Sequence, residues 1–127
     1  MRVEKVQHLD QVEQVRSIRN SCREWMTRDT RHIGSAQQWA WWNAAPRELY
    51  LCDDVAYALI TERDGRKWIS LGVLPDERGR GIGTAIYQLF RDVFAEIRSD
   101  NHASRRAAEK AGYTLVSDDG EVVVMQR

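Results

Sequence analysis

The 127-residue sequence predicts an α/β domain of the α+β type, with about four helices and a mixed, mostly antiparallel sheet of about six or seven strands. Three observations lead to this prediction. Apolar residues recur every three or four positions near the N-terminus, which is typical of an amphipathic helix. Asp64-Gly65 separates two alternating runs and indicates a hairpin turn. A strand–helix–strand unit from Leu71 to Arg98 indicates one parallel strand pair, by the right-handed crossover rule.

Length and composition are typical of one modest globular domain spanning residues 1–127. Hydrophobic residues make up 43% of the chain, charged residues 30%, and the formal net charge is +0. We therefore expect neither nucleic acid nor a membrane as a partner. The sequence shows no signal pattern or long apolar run, so we expect a cytoplasmic protein. Cys22 and Cys52 lack metal-ligand spacing, and we expect buried free thiols and no metal site.

The first predicted elements are a strand, a helix and a loop. Residues from Arg2 to Val6 alternate as in a strand. The helix is predicted from Leu9 to about Trp25, because its apolar residues are three or four positions apart: Val12, Val15, Ile18, Cys22 and Trp25. The polar and basic run Thr27–Gly34 is predicted to be a loop.

A second helix is predicted to begin at Ser35. Ser35 and Gln38 match the capping-box pattern, in which side chains and backbone exchange hydrogen bonds at a helix N-terminus. The helix ends before Pro46, because the residue preceding a proline disfavours helical geometry. Trp39 and Trp42 lie one turn apart, and we interpret both as core contacts of this helix.

Turn signals and alternation predict the remaining elements. The strands are Glu48–Cys52, Val55–Arg63, Arg66–Val73, Val93–Arg98, Tyr113–Val116 and Glu121–Met125. With Asp64-Gly65 as the turn, Ile60 lies opposite Ile69 and Glu62 lies opposite Lys67. A short helix follows the glycine-rich loop, and a second, Ala103–Ala111, is closed by Gly112.

The stretch Leu71–Thr84 (LGVLPDERGRGIGT) predicts an anion-binding loop between a strand and a helix. The first amides of a helix lack internal partners and carry the positive end of its dipole. Glycines let the backbone approach a ligand closely, and successive amides can form an anion-binding nest. Two arginines lie within the turn. Such a loop suits an anion with several oxygens, such as a pyrophosphate.

Two segments resemble the GCN5-related N-acetyltransferase (GNAT) family. In the loop, Arg78, Gly81 and Gly83 match the family pattern Gln/Arg-x-x-Gly-x-Gly/Ala. A later segment, NHASRRAAEKAGY, is similar to the family's Asn-x-x-Ala/Ser … Lys-x-Gly-Phe/Tyr segment at Asn101, Ser104, Lys110, Gly112 and Tyr113. The order of elements also agrees over nearly the whole chain. The resemblance implies the acyl-CoA N-acyltransferase fold, with acetyl-CoA as acyl-donor co-substrate.

The resemblance also implies roles for residues. Free backbone groups of Leu71, Gly72 and Val73 would hold the pantetheine arm, and Asn101 and Ser104 would contact it. The pyrophosphate would be held by the amides of Arg78, Gly79, Arg80, Gly81, Ile82, Gly83 and Thr84. The Val73 N–H would polarise the thioester carbonyl, and acetyl would pass directly to an amine.

One position departs from the family pattern. Many members carry a tyrosine seven residues after the asparagine, interpreted as the general acid, and this sequence has Ala108 there. Ser104 or Tyr113 could supply the proton instead, because a thiolate is a fair leaving group that needs little assistance. The departure leaves a second hypothesis open, a non-catalytic acyl-CoA-binding module.

The acceptor is predicted less specifically. The N-terminal helices weakly resemble members acting on amino-sugar nucleotides or protein N-termini, so we expect a small-molecule or peptide amine. Trp25, Arg31 and His32 are candidate acceptor contacts. Ser70 could position a water for catalysis, and the general base stays open among Glu48, Asp53, Glu62 and His32. Fold habit also suggests a homodimer.

Overall fold

Seven strands form a single sheet in the computed structural model, which describes residues 1–127. The strands are β1 (Val3–Lys5), β2 (Glu48–Cys52), β3 (Ala56–Arg63), β4 (Arg66–Val73), β5 (Phe94–Arg98), β6 (Thr114–Asp118) and β7 (Val122–Gln126). Their order is β1-β2-β3-β4-β5-β7-β6. Every neighbouring pair is antiparallel except β4 and β5, which are parallel. This sheet confirms the predicted fold class.

Four helices cover the sheet, two on each face. They are α1 (Leu9–Ser21), α2 (Ser35–Ala44), α3 (Ile82–Gln88) and α4 (His102–Lys110). Helices α1 and α2 cover a buried cluster that includes Val12, Val15, Ile18, Leu49, Leu51 and Tyr57. Helices α3 and α4 cover a larger cluster that includes Ile69, Ile86, Tyr87, Ala95, Ile97 and Ala108. None of the helices has the length and apolar content that a bilayer span requires.

The β3–β4 hairpin has the register predicted from its turn. Asp64 and Gly65 both have positive φ, 55° and 74°. Two successive positive φ angles define the turn whose twist matches that of the flanking strands. Ile60 therefore lies opposite Ile69, and Glu62 opposite Lys67. Although Glu62 and Lys67 lie opposite each other, they form no ion pair.

The first helix is shorter than predicted. It ends at Ser21, and a separate 3₁₀ turn covers Arg23–Trp25. Between them, Cys22 leaves helical geometry with φ −114° and ψ 7°. Its thiol donates a hydrogen bond to the Val73 carbonyl at 3.2 Å, so a tertiary contact holds the chain where the helix breaks.

The start of α2 differs from the predicted capping box. Gly34 occupies the N-cap position and no side chain caps the helix. Ser35 is the first helical residue, and its hydroxyl lies near the Glu13 side chain of α1, where it lowers the pKa of that carboxyl. A contact with α1 therefore takes the hydroxyl that the pattern assigned to the local backbone.

The inward face of α2 is offset by one residue from the prediction. Gln38 is buried, and Trp41 and Trp42 pack against the cluster beneath α1. Trp39 is 39% exposed, so its assignment to the core is wrong, whereas Trp42 packs as predicted. The buried positions follow the spacings of three and four that place residues on one helical face.

Strands β4 and β5 pair only at their beginnings. Trp68 lies opposite Phe94 and Ile69 opposite Ala95, and no later residues of the two strands are paired. Beyond Ile69 the strands separate, so residues 70–73 and 96–98 border a gap in the middle of the sheet. The early end of the β4–β5 pairing therefore leaves an opening through the sheet.

Gly72 lets the Tyr57 ring pack directly on β4, because a Cβ there would lie 2.6 Å from Tyr57 Cε1. We predict that Gly72→Ala lowers the free energy of unfolding by about 1–3 kcal/mol, as overpacked cores do. Urea denaturation measures this. Gly83→Ala is the control, since its Cβ would make an ordinary 3.6 Å contact with Ala107. Equal stability of the two variants would contradict the prediction.

Candidate functional site

A cleft of about 400 Å³ occupies the gap between β4 and β5 and continues along the glycine-rich loop. Cys22, Trp25 and Met26 line it on the α1 side, and Tyr87 and Ala107 line it on the α3–α4 side. The cleft therefore crosses the sheet. Most of the predicted donor-site residues line it: Leu71, Gly72, Val73, Arg78, Gly79, Gly81, Ile82, Gly83, Thr84, Asn101 and Ser104. Ser70 and Trp25 line it as well.

The glycine-rich loop presents unpaired amides to the cleft. None of the backbone N–H groups from Gly79 to Thr84 donates to an acceptor within the protein. Gly79 and Gly81 have φ of 80° and 79°, and a Cβ on either would meet nothing within 4 Å. Backbone conformation rather than crowding therefore favours glycine at both positions. These amides and the start of α3 form a polar cradle that suits a multi-oxygen anion.

The two loop arginines point in different directions. Arg80 is paired with Glu77 at 3.2 Å, its side chain is 67% exposed, and it lies outside the cleft lining. Arg80 can therefore serve the predicted anion site only through its backbone amide. Arg78 lines the cleft, and its guanidinium donates to the Cys22 sulfur at 3.5 Å. Arg78 therefore adds positive charge beside the α1 wall of the cleft.

The edge of β4 offers free backbone groups to the gap. Hydrogen bonds alternate along an antiparallel strand, and the amide of Leu74 donates to Val55. By this alternation, the backbone groups of Leu71 and Val73 face away from β3 and toward the gap. The Cys22 thiol reaches the Val73 carbonyl from that side, which leaves the Val73 N–H and the Leu71 backbone for a ligand.

The opposite wall is the beginning of α4. Asn101 Oδ1 accepts a hydrogen bond from the Ser104 amide at 3.3 Å and caps the helix. The side-chain Nδ2 of Asn101 donates to no protein acceptor, whereas its backbone amide donates to the Arg98 carbonyl. Ser104 Oγ lies 2.8 Å from the Tyr87 hydroxyl, and both residues line the cleft. Capping thus orients Asn101 and Ser104 together.

The structure separates the two alternative proton donors. Tyr113 donates its hydroxyl hydrogen to the Tyr87 carbonyl at 3.0 Å and lies outside the cleft lining. Burial also raises the pKa of Tyr113. Ala108 is fully buried in the core beneath α4. Of the two residues considered in place of a tyrosine at position 108, only Ser104 borders the cleft.

Glu96 on β5 is a cleft residue that sequence reasoning missed. Ala95 and Ile97 are buried in the cluster beneath α3 and α4, so Glu96 between them faces the α1 side of the sheet. Its side chain is 16% exposed and accepts hydrogen bonds from Arg28, at 2.8 Å, and from Arg63. The signal available in the sequence was a carboxylate, Glu96, between the two apolar residues Ala95 and Ile97 of a predicted strand.

None of the four base candidates considered from the sequence lines the cleft. Glu48 accepts from the Tyr50 hydroxyl, and Asp53 accepts from the Arg2 amide at the β1 edge of the sheet. Glu62 and His32 are exposed. Distance along the sheet excludes Glu48 and Asp53, because β3 lies between them and the gap. The two carboxylates that line the cleft are Glu77, which pairs with Arg80, and Glu96 on β5.

Of the predicted acceptor contacts, one lines the cleft and two do not. Trp25 lines the cleft, whereas Arg31 and His32 lie outside it, so the structure does not support those two assignments. Arg31 turns back onto Asp29, and its hydrogen bonds hold the pKa of that carboxyl at about 2. Buried Arg19 donates to the carbonyls of Asp29 and Arg31 and fixes this loop against α1.

The fold and the cleft together define an acyl-transferase class: a split sheet with a glycine-rich anion loop at the end of the split. A family model described as the acetyltransferase (GNAT) family matches residues 12–113. The chain belongs to this family, whose members use acetyl-CoA as donor and an amine as acceptor. No curated protein matches the sequence significantly.

Solved structures share the fold at low sequence identity. The Salmonella typhimurium protein yncA, solved with its cofactor acetyl-CoA, is 18% identical with a TM-score of 0.78, over 98% of this chain and 91% of that one. A ribosomal-protein-alanine N-acetyltransferase from Brucella melitensis is 16% identical (TM-score 0.79; 100% and 99% covered). An N-acetyltransferase from Staphylococcus aureus Mu50 is 14% identical (TM-score 0.76; 98% and 94% covered).

Proposed function

We propose that this protein is a cytoplasmic N-acetyltransferase that moves acetyl from acetyl-CoA directly to the amine of a small molecule or of a peptide. One observation carries the proposal. The unpaired amides of Gly79–Thr84, the free edge of β4 and the Glu96 carboxylate border one continuous cleft. Donor-binding groups and a proton acceptor are therefore brought together. The two free, buried thiols support a reducing compartment.

The donor would lie along the loop and the β4 edge. The amides of Gly79–Thr84 suit the pyrophosphate, because unpaired N–H groups at a helix start favour anions. The backbone of Leu71 and Val73 would pair with the amide groups of the pantetheine arm. The Val73 N–H would polarise the thioester carbonyl as charge develops on its oxygen.

The acceptor would enter from the α1 side of the sheet. Trp25 and Met26 form an apolar wall there, and Glu96 lines the same cleft. An amine is nucleophilic only when neutral, so a carboxylate that takes its proton makes attack feasible. Ser70, exposed on β4, could hold a water between the amine and Glu96. Holding both reactants in one cleft supplies the rest of the rate enhancement.

A non-catalytic acyl-CoA-binding module is the second candidate. It is favoured by one observation: position 108, where many family members have a tyrosine, is a buried alanine. The unpaired amides serve a binder as well as an enzyme. The two candidates therefore differ only in whether acyl transfer follows donor binding.

Calorimetric titration with acetyl-CoA, followed by thiol release with a panel of amines, tests both candidates. The panel contains free amino acids, amino sugars, a peptide with a free N-terminus, and a peptide that has a free lysine side chain and an acetylated N-terminus. We expect donor binding and acceptor-dependent thiol release confirmed by mass spectrometry of the acetylated product. Binding without release by any amine would favour the module, and absence of binding would contradict both candidates.

A further inference from the structure

The hydroxyl groups of Tyr87 and Ser104 form a pair at the floor of the cleft. Their oxygens lie 2.8 Å apart, and neither oxygen has another hydrogen-bond partner in the protein. Two hydroxyls carry two hydrogens, and one of these lies between the oxygens. The second hydrogen has no acceptor in the protein and borders the cleft. A buried donor left unpaired costs free energy, so this hydrogen is available to a ligand atom.

The surroundings keep the pair neutral and in place. Burial raises the pKa of Tyr87 to about 12, so its hydroxyl keeps its proton throughout the neutral range. The Tyr113 ring packs edge-on against the Tyr87 ring at 5.1 Å, and the Tyr113 hydroxyl holds the Tyr87 carbonyl. The Asn101 cap fixes the first turn of α4, on which Ser104 lies. Both hydroxyls are therefore pre-organised before a ligand binds.

We propose that the Tyr87–Ser104 pair donates a hydrogen bond to the coenzyme A sulfur and stabilises it as a thiolate when it leaves. The inference rests on the proposed function, because it assigns this pair to the donor of that reaction. It gives the role left vacant at Ala108 to a hydroxyl from α3 acting with one from α4.

The pair acts when the carbon–sulfur bond of the thioester breaks. The amine nitrogen bonds to the acetyl carbon, the carbon–sulfur bond breaks, and its electron pair stays on sulfur. The amine proton passes to Glu96. Sulfur accepts a hydrogen bond from the pair and leaves as the thiolate, while the pair keeps its protons. The proton on Glu96 then passes to water, which restores the carboxylate. A donor placed where negative charge develops stabilises the transition state more than the thioester.

The test measures the pKa of the thiol of bound coenzyme A, followed by the ultraviolet absorbance of the thiolate during a pH titration. A hydrogen bond to the thiolate lowers this pKa, so its loss raises it. The charged groups that line the cleft are the same in every variant: Glu77, Arg78, Glu96, Arg106 and Lys110. Differences between variants therefore report the hydroxyls.

We expect the double variant Tyr87→Phe/Ser104→Ala to raise the bound thiol pKa by about one unit. We also expect kcat to fall about 10-fold with little change in KM for acetyl-CoA, since the lost interaction acts on the leaving group. Each single variant leaves one hydroxyl and identifies which oxygen reaches sulfur. Ser104→Thr retains a hydroxyl and should keep the parental pKa. Tyr50→Phe, which removes a tyrosine hydroxyl that bonds Glu48 outside the cleft, is the control and should keep the parental pKa.

A double variant that folds and binds coenzyme A with the parental thiol pKa would overturn the proposal. So would a loss confined to KM, which would mean that the pair binds the arm rather than the leaving group. If the double variant does not fold, a parental pKa in both single variants would overturn it. The titration of bound coenzyme A requires no amine acceptor, so it tests the role of the pair even if no amine is acetylated.

Discussion

Gly81→Glu is expected to weaken acetyl-CoA binding by at least about 100-fold, roughly 3 kcal/mol. Gly81 is the N-cap of α3, in the middle of the unpaired amides from Gly79 to Thr84. A glutamate there would bring a negative charge to the place where the pyrophosphate is expected. It would also occupy the open space above the loop and could accept hydrogen bonds from the amides itself. Calorimetric titration of the folded variant measures the loss.

Gly120→Glu is the matched control for Gly81→Glu. Gly120 has a φ of 90°, close to the 79° of Gly81, and a Cβ on either residue would meet nothing within 4 Å. Both variants therefore add the same charge and a similar backbone strain. Gly120 lies in the turn between β6 and β7, outside the cleft. We expect the Gly120→Glu variant to bind acetyl-CoA normally. Normal binding by the Gly81→Glu variant would exclude the loop as the pyrophosphate site.

Glu96→Gln is expected to lower kcat by about 100-fold, a typical contribution of a general base, without weakening acetyl-CoA binding. The amide oxygen can still accept hydrogen bonds from Arg28 and Arg63, so the local structure is retained. The amide cannot take a proton from the amine. Steady-state kinetics with an acceptor identified by the amine panel, together with calorimetric titration of acetyl-CoA, separate catalysis from donor binding.

Glu62→Gln is the matched control for Glu96→Gln. Glu62 also lies on a strand, β3 of the hairpin, but it is exposed, forms no ion pair and does not border the cleft. We expect its kinetics to equal those of the unmodified protein. A Glu96→Gln variant with unchanged kcat would show that another group takes the amine proton, and a water held by Ser70 would then be the remaining candidate.

Features that depend on local backbone chemistry were predicted closely. The Asp64-Gly65 turn determined the register of β3 and β4, because a two-residue turn leaves the strands only one pairing. The second segment became α4 with Asn101 as its cap and Gly112 after its end, as cap residues predict. Helix α1 was predicted one turn too long, since the hydrogen bond that the Cys22 thiol donates where the helix breaks goes to the Val73 carbonyl of β4.

Helix α2 shows where periodicity reaches its limit. Four consecutive aromatic or small residues, Trp39 to Trp42, allow several inward faces with similar apolar content. Packing against α1 and β2 selects the face that contains Gln38, Trp41 and Trp42. The capping-box pattern predicted that Ser35 bonds its own backbone, but its hydroxyl lies near Glu13 on α1 instead. In both cases a neighbouring element decides between arrangements that are equivalent within the segment.

The sequence by itself determined the donor half of this protein: the strand, the glycine-rich loop and the helix that follow one another from Leu71, and the capped helix after β5. Their geometry depends on residues that are close along the chain. Only the tertiary structure decided which side chains from different elements converge on the cleft. Glu96 meets Arg28 across 68 positions and Arg63 across 33, and Tyr87 meets Ser104 across 17. Such contacts form only when the sheet and its two helical layers assemble, because no local spacing specifies which side chains will converge.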